Sequence, residues 1–165
     1  MRDMNDYISR ISEAVGKLKE SKKVLVVEDE KDINELICYN LLKSGFLPLP
    51  VYDGWEAKRK LDNDVFDIVI LDLMLPGIDG FTLCRQIKES SQANKIFVVI
   101  ITAKETVQDK LRALLLGADY FLTKPFNMGM LLNIMKELGS LKEKDLRLRL
   151  TERFLTTEGG EGEVF

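Results

Sequence analysis

Glu28, Asp29, Asp72, Thr102 and Lys124 each follow directly on a short, very apolar run: VLVV before Glu28 and Asp29, DIVIL before Asp72, FVVII before Thr102 and YFLT before Lys124. Carboxylates gathered in one pocket repel one another. The usual remedy is a hard cation such as Mg2+, which takes oxygen ligands and keeps waters that it can exchange for phosphate oxygens. Asp72 follows the most apolar central run and is the best nucleophile, because a carboxylate beside such a cation can form an aspartyl phosphate. Thr102 can donate a hydrogen bond to one phosphoryl oxygen, and Lys124 can bring a point charge to another. Taken singly, Asp29 could cap a helix, Thr102 could be a turn hydroxyl, Lys124 an exposed charge before a rigid proline, and Phe121 a core aromatic. Four strand ends all carrying the type of group that phosphoryl transfer needs favours the chemical reading.

Such residues meet only if the runs that carry them lie side by side. Apolar runs of this length, bounded by turn signals and separated by helix-length segments, predict buried parallel strands of an α/β sheet, whose ligands bind outside the carboxyl ends of the strands. The pattern predicts strands at 24–28, 46–51, 67–72, 96–101 and 119–123, alternating with helices at 32–43, 54–61, 80–89, 105–116 and 127–138. Ile33, Leu36, Ile37 and Leu41 form the expected inner stripe of the first of these helices, and Met128, Leu131, Leu132, Met135 and Leu138 that of the last. Pro48 and Pro50 cannot donate ladder hydrogen bonds, which puts the second strand at an edge. A doubly wound order of 2-1-3-4-5 then makes the first and third strands neighbours and sets Glu28, Asp29 and Asp72 together.

Residues 1–22 place Ile8, Ile11, Val15 and Leu18 at helical spacing and predict an amphipathic N-terminal helical extension whose apolar stripe needs a partner. The compact domain is expected over 23–138, with 139–165 as a C-terminal tail or the start of a linker. Within the tail, LRLRL alternates with a period of two while its flanks suit a helix, and TTEGGEGEVF reads as a turn or loose end. A chain of 165 residues with 45% hydrophobic content supports one such domain. Its net charge of -3 and mixed charge pattern offer no basic surface for a nucleic-acid backbone. Cys38 and Cys84, without a CxxC spacing or any histidine, make neither a zinc site nor a disulfide framework. The longest apolar run, Ile96 to Ile101, is far short of a membrane span, and the charged N-terminus lacks a signal peptide's apolar core, so a cytoplasmic protein with no membrane partner is expected.

VLVVEDE, LDLMLPGIDG, the IITA run ending at Ala103 and the KPF of Lys124 to Phe126 resemble, in order and spacing, the signature of the receiver domain of two-component response regulators, over about Lys23 to Leu138. The resemblance implies a flavodoxin-like (βα)5 fold and phosphorylation of Asp72 by a histidine kinase or histidine phosphotransfer protein. It implies Mg2+, or Mn2+ in its place, held by Glu28, Asp29, Asp72 and the backbone carbonyl of Met74. It makes Thr102 and Phe121 a switch pair, with Phe121 rotating inward as the Thr102 hydroxyl and Lys124 are drawn to the phosphoryl group. It also makes the peptide bond from Lys124 to Pro125 a candidate for the cis form.

Met74 and Lys104, two residues past Asp72 and Thr102, stand where such domains tune phosphoryl lifetime. Neither can orient a hydrolytic water as a carboxylate or amide would, so slow self-dephosphorylation is expected, without turnover on other substrates. Glu28 stands where the family often has Asp, and its extra methylene suggests contact with the cation through water. No output domain is legible, which leaves a stand-alone receiver or a piece of a longer protein. A homodimer is one expected arrangement, through the last two helices and last strand or through the N-terminal helix, whose stripe is as well suited to pack against its own domain. Three rivals have less support. A degenerate receiver acting as a constitutive binding module shares the pattern. An aspartate-dependent phosphatase would want Asp where Met74 stands. A flavin mononucleotide binder would need a Ser-, Thr- or Gly-rich loop where EDEKD stands.

Overall fold

A computed structural model describes residues 4–93 and 95–141. The expected tail beyond residue 141, LRLRL included, lies outside them. The elements run in the order α1 (Met4–Glu20), β1 (Lys23–Val27), α2 (Lys31–Lys43), β2 (Leu47–Val51), α3 (Gly54–Asn63) and β3 (Ile68–Leu71). They continue with α4 (Gly80–Glu89), β4 (Phe97–Thr102), α5 (Val107–Leu115), β5 (Tyr120–Thr123) and α6 (Met128–Ser140). The strands form one sheet in the order β2-β1-β3-β4-β5, every neighbouring pair parallel. This is the flavodoxin-like doubly wound arrangement, with α1 added in front.

The strand runs are continuously apolar because both faces of the sheet are covered. Leu25, Val27, Val69, Leu71, Val98 and Ile100 face one core, closed by Ala57 of α3, Phe81, Cys84 and Ile87 of α4 and Ala113 of α5. Their neighbours in sequence, Val24, Val26, Ile68, Ile70, Val99 and Ile101, face the other, closed by Ile37 and Leu41 of α2 and Leu131, Met135 and Leu138 of α6. At the β2 edge, the Leu47 N–H donates to Lys22 O at 2.9 Å. Because donors alternate along a strand, Pro48 and Pro50, offset by one from Leu47, have their missing N–H groups on the open edge.

Side chains start four of the helices. Asp53, Asp79, Thr106 and Asn127 accept from the backbone N–H three residues on in α3, α4, α5 and α6, at 2.8, 3.1, 3.1 and 3.2 Å. Asp29 caps nothing: α2 begins after Glu30, whose own side chain makes no cap bond.

One packing expectation needs correction. Leu36 is 54% exposed, and the inner face of α2 is instead Asn34, Ile37 and Leu41. The helix is rotated so that a polar residue, not Leu36, points at the sheet. The stripe of α1 is not packed on the domain: Ile8, Ile11, Val15 and Leu18 all stay exposed. Cys84 is buried and Cys38 half-buried, and burial pushes both thiols up to about 11, away from the reactive thiolate.

Candidate functional site

The parallel register brings the polar strand ends to one crevice. Val27 of β1 pairs with Leu71 of β3, so Glu28 and Asp72 follow side by side, and the Asp72 N–H donates to Val27 O at 3.0 Å. Thr102 pairs with Thr123 across β4 and β5, and the next N–H, that of Lys124, donates to Thr102 O at 2.8 Å. The Lys124–Pro125 peptide bond is cis. Gly80, first residue of α4, lies against the Asp72 backbone so closely that a Cβ there would collide with the Asp72 carbonyl. The start of α4 thus braces the strand end that presents Asp72.

Glu28 is fully buried, Asp72 is 3% exposed, and Asp29 stands open to solvent. One carboxylate oxygen from each of Glu28, Asp29 and Asp72 lies within 4.8 Å of the others. The Lys124 ammonium enters this cluster, 2.8 Å from Asp72 Oδ2, 2.7 Å from Glu28 Oε2 and 3.2 Å from Glu30 Oε1. The Met74 N–H donates to Asp72 Oδ1 at 2.9 Å, and the Glu30 N–H to Glu28 Oε1 at 3.0 Å.

Burial raises the Glu28 carboxyl above its ordinary range, with the Lys124 ammonium beside it opposing and the Asp72 charge reinforcing. For Lys124, burial works to lower the ammonium, but the hydrogen bond to Asp72 and the charges of Asp72 and Glu28 outweigh it and hold it above the usual lysine range. Glu28 Oε2 has the lysine's charge beside it but accepts no well-aligned hydrogen bond. A buried carboxylate oxygen in that condition, with two further carboxylates in reach, fits a hard, oxygen-seeking divalent cation.

Thr102 is fully buried, and its Oγ1 accepts the Lys104 N–H at 3.3 Å. The Phe121 ring is 3% exposed in the core shared with Leu71 and Ile100, so in this structure it occupies the inward position. Met74 projects outward. The Lys104 ammonium lies 5.4 Å from the centre of the Phe81 ring, and the Arg112 guanidinium is 4.1 Å from it, so two cations from the β4–α5 segment and α5 hold the first turn of α4.

The strand-end pattern did not reveal Asn34 or Glu30. Asn34 Nδ2 donates to Glu28 O and Val51 O, both at 2.9 Å, with Val26 O a longer third acceptor at 3.3 Å. It ties the carboxyl ends of β1 and β2 together and so fixes the backbone that carries Glu28. A lone amide in register with Ile37 and Leu41 on an otherwise apolar stripe was the available signal. Glu30 adds a third carboxylate to Lys124 and carries no comparable signal.

A doubly wound five-stranded sheet with buried carboxylates and a lysine at its switch point defines a class of α/β proteins that handle anionic groups at the strand ends. The response regulator receiver domain family matches residues 24–136, and the chain belongs to it. It is 41% identical over 107 residues to the alkaline phosphatase synthesis transcriptional regulatory protein PhoP of Bacillus subtilis, covering 65% of this chain and 44% of PhoP. It is 43% identical over 107 residues to the regulatory protein VanRc of Enterococcus gallinarum, covering 65% and 45%. The match therefore spans less than half the length of these relatives. The beryllofluoride-activated receiver domain of DrrB from Thermotoga maritima has a TM-score of 0.65 at 30% identity, covering 72% of this chain and 97% of that domain.

Proposed function

We propose that the chain is a phosphorylation-driven signalling switch in which Asp72 accepts a phosphoryl group from a phosphohistidine of a histidine kinase or histidine phosphotransfer protein. The observation that carries this reading is the buried Asp72 carboxylate, held by the Met74 N–H and the Lys124 ammonium with Glu28 and Asp29 in reach. An Asp72 oxygen bonds to phosphorus as the bond from phosphorus to the imidazole nitrogen breaks, its electron pair leaving on the imidazole, which takes up a proton from solvent. Lys124, which pairs with Asp72 and Glu28, keeps its charge and transfers to a phosphoryl oxygen, and the Thr102 hydroxyl donates to another.

Glu28, Asp29 and Asp72, with the Met74 carbonyl, would hold Mg2+ or Mn2+, which when bound offsets charge on the phosphoryl oxygens. Drawing Thr102 toward the new charge moves the segment that leads into α5, with Phe121 beneath it as the other member of the switch pair, and so alters the outer face of α5, β5 and α6 that protein partners read. Met74 and Lys104 supply no group to orient water, so the acyl phosphate decays slowly and the domain turns over no external substrate. This reading assigns the switch to residues 23–138, a cytoplasmic setting and protein partners.

Incubation with Mg2+ and acetyl phosphate, followed by intact mass, tests it. The expected result is a gain of one phosphoryl group that is abolished by chelation or by Asp72→Asn and persists for minutes or longer. Decay within seconds would overturn the slow hydrolysis, and no gain in mass would make the domain a constitutive binding module.

A further inference from the structure

We infer that α1 is one strand of a parallel two-stranded coiled coil whose other strand is the same helix of a second copy of this chain, formed whether or not Asp72 is phosphorylated. Met4, Ile8, Ile11, Val15 and Leu18 recur at spacings of four, three, four and three residues, and each is between 45% and 68% exposed. That is the a and d repeat of a heptad, with Ile8 and Val15 at a and the other three at d. The positions flanking this seam hold Asn5, Tyr7, Ser12, Ala14 and Lys19, so the apolar strip is widened only on the side of Tyr7 and Ala14.

A strip of that width suits a single facing helix. By contrast, the helix α6 that covers the sheet sets Leu132 and Ile134 beside Leu131, Met135 and Leu138.

Charge points to the same occupant. Asp6, Arg10, Glu13, Lys17 and Glu20 lie on the outer positions, with Glu13 and Lys17 paired at 2.7 Å. Three acidic and three basic residues between Met4 and Glu20 give the polar face no attraction for an anionic membrane. In a parallel pair, Ala14 of one helix meets Lys19 of the other, so no like charges face each other across the seam. β-Branched residues at a favour two parallel strands. The helix has 17 residues, about two and a half heptads, so the dimer is expected to be weak and concentration-dependent.

Sedimentation equilibrium of the full chain without any phosphodonor, from micromolar to submillimolar concentration, tests the inference separately from the phosphorylation chemistry. A monomer–dimer equilibrium is expected, with Ile11→Gln weakening it about tenfold or more. Ile11 is exposed in the single chain, so circular dichroism should show the domain intact. Under mild oxidation Val15→Cys should cross-link to a dimer, because equal a positions meet only in the parallel arrangement, while the unsubstituted chain should not. A monomer throughout, as expected if α1 instead meets residues 142–165 of its own chain, would overturn the inference. So would a dimer indifferent to Ile11→Gln, or a dimer in which Val15→Cys fails to cross-link.

Discussion

Lys124 governs the charge balance of the crevice, since among the described residues its ammonium is the one cation paired with the buried carboxylates of Glu28 and Asp72. Removing one partner of a buried ion cluster strands the others, at a cost of about 3 kcal/mol. Lys124→Ala should therefore lower the urea midpoint, and saturating Mg2+ should restore part of the loss. A loss that Mg2+ leaves untouched would mean that the cation does not bind among these carboxylates. Asn34→Ala should cost about 1–3 kcal/mol, because Glu28 O loses its buried amide donor and Val51 O keeps only the Glu28 N–H, at 3.2 Å. The same variant should slow phosphorylation by acetyl phosphate, since the Glu28 backbone is released; an unchanged rate would confine Asn34 to stability.

These two residues differ in how far the sequence discloses them. Lys124 was legible because it ends an apolar strand run, a placement with few structural uses. Asn34 was not, because its register with Ile37 and Leu41 singles it out only once the phase of α2 is known.

Among the elements, β4 and β5 are locked to α4 by a buried pair remote from the crevice. Asp119 Oδ2 accepts from the Val98 N–H at 2.7 Å and from Lys88 Nζ at 2.9 Å, and the same ammonium donates to Ile96 O. Burial raises the Asp119 carboxyl, with Lys88 opposing it. Lys88→Met should destabilise by about 3 kcal/mol at pH 7 by leaving that carboxylate unpaired and still buried. Its pKa then rises further, and the folded form binds a proton that the unfolded form releases. The penalty is complete above the raised folded value and fades as pH falls through it toward the ordinary 3.8. Urea midpoints at pH 7 and pH 4.5 should show the gap between variant and parent closing at the lower pH; a constant gap would exclude Asp119 as the cause.

Strand positions and the edge placement of β2 were legible because apolar runs and prolines act through covalent geometry and burial. The phase of α2 was not. Leu36 and Ile37 adjoin in sequence, and periodicity with Ile33 and Leu41 accommodates either on the inner face, so only packing against the sheet decides that Leu36 faces water.

For the molecule as a whole, the chain's single tryptophan offers a direct view of the loop beside the crevice. Trp55, at the start of α3, is largely exposed, and its ring lies against Gly77 in the loop that follows Asp72. Its emission should change on adding Mg2+ and change again with beryllofluoride, the second step being lost in Asp72→Asn. Constant emission in the parent would mean that this loop does not move.

The proline edge of β2 has a consequence for how such a molecule behaves in a crowded solution. Open edges invite edge-to-edge growth into fibrils, yet here two adjacent outward donors are covalently missing. Recruitment is thereby steered away from backbone zippering toward surfaces built of side chains, which can be released again.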